Sequence, residues 1–91
     1  MSDSIRRRVV VHGDVQGVFF RDTTRQEADA RAVAGWIANR PDGAVEAVFE
    51  GDPDDVGALV ELCEQGPSAA TVERVEVSEE EPEGASGFQV R

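Results

Sequence analysis

The chain contains no lysine and no tyrosine, and it carries one cysteine, Cys63, and one histidine, His12. A single cysteine excludes an internal disulfide and a multi-cysteine metal site. A single histidine excludes a multi-histidine metal centre, and a histidine-based triad would rest on His12 alone. No apolar run approaches the ~20 residues needed to span a bilayer. The basic stretch Arg6-Arg7-Arg8 leads only into the short run Val9-Val10-Val11, too little for a secretory signal. The expectation is a cytoplasmic protein with no membrane partner.

Positive charge is also scarce. Nine basic residues, all arginine, face 19 acidic ones, for a formal net charge of −10. Nucleic-acid binding needs a basic face. Base stacking needs aromatic platforms, and aromatics make up only 5% of the chain. No nucleic-acid partner is expected. The absence of lysine beside so many carboxylates points to adaptation to molar salt, where the Debye length is about 3 Å and self-repulsion is screened. A plain acidic protein kept dispersed by its charge is the alternative.

What is present is one small domain, residues 1–91, with no repeat or linker. Valine dominates its 40% hydrophobic content, which favours strands. Residues 7–12 read as a strand, and residues 22–33 as a charged, alanine-rich helix with Glu27 and Arg31 as an i,i+4 pair. Residues 35–39 form a short strand, Pro41-Asp42-Gly43 a turn, and residues 44–50 an alternating strand that completes a hairpin. Asp52 caps a second helix with Pro53 at its first position and Asp54 and Asp55 in its first turn. Val56, Leu59, Val60 and Cys63 repeat at helical spacing, and Gly66-Pro67 ends the helix. A strand at 71–78, a solvated acidic loop at 79–84 and a short strand at 88–91 follow. The order β-α-β-β-α-β plus a terminal strand predicts an α+β, ferredoxin-like sandwich. Its sheet is antiparallel, with both helices on one face.

The segment Gly13-Asp14-Val15-Gln16-Gly17-Val18-Phe19-Phe20-Arg21 has the layout of an anion cradle. Glycine permits a tight turn whose backbone N–H groups converge, and an arginine at its edge supplies a planar cationic fork. A nucleotide P-loop is excluded by the missing lysine. A dinucleotide fingerprint needs a third glycine and a parallel βαβ unit. A cysteine phosphatase needs a thiolate in the loop, where none stands. The compatible chemistry is direct attack of water on a bound phosphoryl group, driven by positioning and charge stabilisation. Asn39, at the end of the second strand, is a candidate to orient that water, because its amide both donates and accepts. With no evident general acid, the leaving group must be stable as an anion, as a carboxylate is.

Gly13-x-Val15-Gln16-Gly17-Val18-x-Phe20-Arg21, with Thr24, Ala28, Gly35-Trp36-Ile37-x-Asn39 and Asp42-Gly43-x-Val45-Glu46, resembles the acylphosphatase family. The similarity runs on through Gly51, Gly66-Pro67, Val72 and Phe88. It implies the same fold and hydrolysis of the carboxyl–phosphate bond of small acyl phosphates, without metal or cofactor, to a carboxylate and inorganic phosphate. By position, Arg21 matches the family's phosphate-binding arginine and Asn39 its water-orienting asparagine. The backbone of Val15, Gln16, Gly17, Val18, Phe19 and Phe20 matches its phosphate cradle. A monomer is expected. Three positions depart from the usual pattern: Asp14 where a basic or neutral residue is common, Arg31 where an apolar one is, and Ala32 where glycine is. Two other classes share this topology. One is a regulatory module that binds a phosphoryl ligand without turnover, and the other is an RNA-binding module, which the charge disfavours. Thr24, Trp36, Phe20 and Phe88 read as structural residues.

Overall fold

Alternating valines build the centre of the sheet. The computed structural model describes residues 3–91. In β1 (Ile5–Asp14) Val9 and Val11 are fully buried, as are Val45, Ala47 and Phe49 in β3 (Val45–Gly51). The antiparallel register sets Val9 opposite Ala47 and Val11 opposite Val45, so these side chains share one face. β2 (Ala34–Asn39) lies antiparallel on the outer side of β3, with Ile37 opposite Ala47. β4 (Thr71–Glu80) lies antiparallel on the outer side of β1. The sheet order is β4-β1-β3-β2-β5.

The terminal strand β5 (Phe88–Val90) joins β2 in parallel, so the five-stranded sheet is mixed. The geometry follows from the path. β4 runs antiparallel to β1 and ends with Glu80 beside Arg6. Residues 81–87 then cross the end of the sheet to the start of β2, where Phe88 pairs with Gly35. From there the chain can only run back along β2 in the same direction.

Both helices bury apolar stripes against the valine face, as expected. α2 (Pro53–Gln65) contributes Val56, Leu59 and Cys63, and its Asp52 cap accepts a hydrogen bond from Asp54 N–H at 3.0 Å. α1 (Phe20–Ala30) contributes Phe20, Thr24 and Ala28 at successive turns. It begins and ends earlier than the sequence pattern predicts. Phe19, at φ 61° and ψ 20°, turns the chain straight into the helix. At the other end Ala32 adopts φ 55°, and Val33 N–H reaches back to Ala28 C=O at 2.9 Å. That left-handed stop is the turn glycine favours.

The opposite face of the sheet is an arginine–glutamate lattice. Arg6 is 7% exposed; its Nη1 donates to Glu50 at 3.0 Å and its Nε to Glu80 at 2.9 Å. Arg8 pairs with Glu46 and Glu80. Glu50 also accepts the backbone N–H groups of Glu83 and Ala85, each at 2.9 Å. The run Glu79-Glu80 is therefore not the start of a solvated loop. It ends β4, and the segment after it is clasped from below by Glu50. A three-arginine strand next to carboxylate-rich strands has the means to pair its charges across the sheet.

Candidate active site

The cradle loop connects β1 to α1, and its side chains alternate between anchoring and exposure. Val15 and Phe20 are buried at 1% and 2% exposure, and Val18 packs against the same core. Gly17 and Phe19 face outward. The two glycines that flank the loop do different work. Gly17 has φ 73° with open space where a Cβ would stand, so it is the turn itself that needs glycine. Gly13 lies at a register shift of β1, where a Cβ would sit 2.2 Å from Thr71 C=O. It lets β1 approach β4 at a bulge and belongs to the sheet rather than to the cradle.

Helix α1 starts without a side-chain cap. Its first satisfied N–H is that of Thr23, which donates to Phe19 C=O at 3.0 Å. The N–H groups of Gly17 to Arg21 have no acceptor among the described residues. Helix starts of this kind leave backbone donors unsatisfied, and such donors are able to bind an anion.

A cavity of about 540 Å³ opens here, lined by Val15, Gly17, Phe19, Phe20, Arg21, Asp22, Arg25, Asn39, Phe88 and Val90. The structure therefore brings Arg21 and Asn39 onto one cavity with the loop. Arg21 arrives on the first turn of α1, Asn39 at the last residue of β2, opposite Val45. The Asn39 amide makes no hydrogen bond among the described residues. Phe88 forms part of the wall while stacking on Phe49, with ring centroids 5.8 Å apart.

The arginines are unequally occupied. Arg6, Arg7, Arg8, Arg25, Arg31, Arg40 and Arg74 each lie within ion-pair distance of an aspartate or glutamate. Arg21 and Arg91 have no such partner among the described residues. Instead, Arg21 Nη1 donates to the main-chain oxygen of Arg91 at 2.8 Å. A guanidinium has five donors, so most of the Arg21 fork is left for a ligand.

The residues that raised questions in the sequence have clear positions. Asp14 is exposed, pairs in register with Thr71 and does not line the cavity. Thr24 faces the core at 1% exposure, and its hydroxyl has no partner among the described residues. Trp36 stands opposite Val48, outside the helix-covered core, with the Arg91 guanidinium 4.5 Å over its ring. Cys63 is fully buried, and desolvation pushes its thiol up to about 12, which leaves no thiolate for chemistry.

Sequence reasoning missed the side chain of Gln16. Its Nε2 donates to Arg40 C=O at 2.7 Å and to Ala44 C=O at 2.9 Å. The β2–β3 turn is itself closed by Arg40 N–H to Ala44 C=O at 2.8 Å and by Ala44 N–H to Asp42 Oδ1 at 3.0 Å. Gln16 thus ties the loop to the turn that begins one residue after Asn39. The residue type alone gave no signal, because the partners are backbone carbonyls distant in sequence.

Comparison with known proteins matches this architecture. The acylphosphatase family model aligns with residues 7–90. An acylphosphatase from Gloeobacter violaceus is 52% identical over 99% of this chain and 97% of its own length. One from Haloarcula marismortui is 54% identical over 94% of both chains. The crystal structure of acylphosphatase from Bacillus subtilis superposes with a TM-score of 0.90 at 38% identity, covering 96% of this chain and 98% of its own. With agreement of this extent in sequence and fold, the chain belongs to the acylphosphatase family and is an acylphosphatase.

Proposed function

We propose that the reaction runs by in-line attack of one water on the phosphorus of a small acyl phosphate held in the loop. The backbone N–H groups of Val15 to Phe20 and the Arg21 fork bind the phosphoryl oxygens and stabilise the charge that builds on them. Asn39 holds the water, accepting from it with its carbonyl and leaving its own donors for the phosphate side. The water oxygen forms the new P–O bond. The bond from phosphorus to the acyl oxygen breaks, and the carboxylate departs with the electron pair. The water proton passes to a phosphate oxygen, so inorganic phosphate leaves and no protein base is consumed. The carboxylate is a stable anion near neutral pH and needs no general acid.

The observation that carries this reading is the shared cavity: Arg21, with no aspartate or glutamate partner among the described residues, and Asn39, whose amide makes no hydrogen bond among them, open onto the same space as an uncapped helix start. Phosphate release from acetyl phosphate tests it. Arg21→Ala raises KM and lowers kcat, whereas Asn39→Ala collapses kcat while inorganic phosphate still inhibits. Near-normal turnover by Asn39→Ala would remove the asparagine from the mechanism.

The working form in this reading is a cytoplasmic monomer with a small-molecule substrate. It has neither a nucleic-acid nor a membrane partner. No helix among the described residues is long and apolar enough to cross a membrane. The lysine-free acidic composition supports adaptation to high salt, for which thermal melts from dilute buffer to molar KCl are the check. Equal stability throughout would rule that adaptation out.

A further inference from the structure

Among the described residues, three large hydrophobic side chains are exposed: Phe19 at 79%, Val77 at 46% and Val90 at 42%. Val77 lies on the edge strand β4. The other two both line the cavity, where they join Phe88.

Phe19 is the more telling of the pair. Its backbone has φ 61°, a conformation that bulky residues rarely adopt and glycine adopts freely. If the loop required only the backbone turn, glycine would satisfy it without strain. The benzyl group gains nothing from the core, since it is mostly in water. A strained residue with an unburied aromatic ring at the mouth of a binding cavity points to a ligand contact.

The two sides of the cavity differ in character. One presents the loop amides, Arg21 and Asn39. Asp22 and Arg25 also reach it, facing each other at 3.6 Å. The rest of the rim is apolar: Phe19 on the loop, with Phe88 and Val90 on β5. A substrate with its phosphoryl end among the amides has its acyl body near that apolar rim.

We propose that Phe19, with Phe88 and Val90, forms a shelf for the acyl body, and that this site favours acyl phosphates of flat, apolar acids over acetyl phosphate. The assignment rests on the mechanism proposed above. It makes Phe19 a specificity-determining residue through its ring, in addition to any role of its backbone. Aromatic rings stack or meet edge to face on such a shelf, and a methyl group is too small to cover it.

The test compares kcat/KM for benzoyl phosphate and acetyl phosphate in the unaltered enzyme and in Phe19→Gly, Phe19→Tyr and Val90→Ser. The intrinsic difference between the two leaving groups cancels when their ratio is compared across variants. Phe19→Gly is expected to lower the benzoyl-to-acetyl ratio about ten-fold, the size of effect an apolar pocket contact produces. Phe19→Tyr retains the ratio because the ring remains, and Val90→Ser lowers it in the same direction as Phe19→Gly. Should Phe19→Gly fail to fold, Val90→Ser decides alone. A ratio unchanged in the folded variants overturns the shelf and leaves the mechanism standing. Failure of the unaltered enzyme to release phosphate from either substrate overturns the mechanism itself.

Discussion

Arg21 reaches across 70 positions of sequence to donate from Nη1 to the main-chain oxygen of Arg91, while the Arg91 guanidinium rests 4.5 Å above Trp36. The backbone of Arg91 is fixed from its other side as well, because its N–H donates to Ile37 C=O at 2.8 Å. The cation–π contact on one face of the sheet therefore helps hold the oxygen that orients a cavity arginine on the other. An exposed contact of this kind is worth ~0.5–1 kcal/mol. Arg91→Ala is expected to raise KM for acetyl phosphate about two- to five-fold, the equivalent of that energy, with a smaller change in kcat. Steady-state kinetics reads both. A change confined to kcat would mean that Arg91 acts on something other than the set of Arg21.

Gln16 offers a sharper separation of binding from alignment. Gln16→Ala removes both bonds to the hairpin turn and costs about 1–2 kcal/mol of stability. The loop retains its amides, but its position relative to Asn39 loosens. Turnover of acetyl phosphate is expected to fall about ten-fold, more than inhibition by inorganic phosphate weakens, because misplacement of reacting groups is felt most in the transition state. Equal losses in kcat and in phosphate affinity would show that Gln16 shapes the cradle rather than the alignment.

Ala32 holds φ 55° at the end of α1. An L-residue there costs about 1–2 kcal/mol against a right-handed conformation. Ala32→Gly relieves the strain but adds unfolded-chain entropy, so a net gain of about 1 kcal/mol is expected. For a domain of this size that raises Tm by about 4–8 °C. Calorimetry on the two proteins settles the sign.

The acid limb of stability belongs to the lattice beneath the sheet. Burial on its own raises the Glu50 carboxyl, but the Glu83 N–H, the Arg6 guanidinium and the Ala85 N–H outweigh it and hold it below its ordinary value of 4.5. Glu80 is held down too, first by the hydrogen bond from Arg6. A carboxyl depressed in the folded state contributes stability above its unfolded value and loses it as pH falls through the folded one. Denaturant midpoints should therefore decline as pH drops below about 4.5. Glu50→Gln is expected to be less stable at neutral pH, because Arg6 loses a buried counterion, and to show a shallower acid decline. An acid limb identical in both proteins would place the titrating groups elsewhere.

What the sequence reveals of this molecule depends on how local each signal is. The Asp52 cap, Pro53 and the apolar stripe of α2 are neighbours in the chain, and the helix forms where they indicate. Chemistry alone could offer Asn39 only as a candidate partner of the loop, and the family resemblance made the pairing specific, since it is the folded sheet that brings them together. The ends of α1 were displaced because two non-glycine residues, Phe19 and Ala32, adopt left-handed conformations that residue type does not announce. Glu80 read as part of an acidic tract because its partners, Arg6 and Arg8, stand on a strand more than 70 residues away. The link from Arg21 to Arg91 and the reach of Gln16 to two carbonyls have no sequence signature, as a backbone oxygen is offered by every residue.

The β5 wall gives the cavity a thermodynamic character of its own. β5 is the shortest strand, pairs with β2 alone, and nonetheless supplies Phe88 and Val90 to the cavity and the Arg91 oxygen to Arg21. Detachment of β5 would therefore also open the site. If the proposed cradle binds an anion through Arg21, the hydrogen bond from Arg21 to Arg91 links that occupancy to the order of the terminal strand. In amide hydrogen exchange, inorganic phosphate is expected to slow Gly87 to Arg91 before it slows the central strands. The slowing should follow ligand concentration as a one-site isotherm.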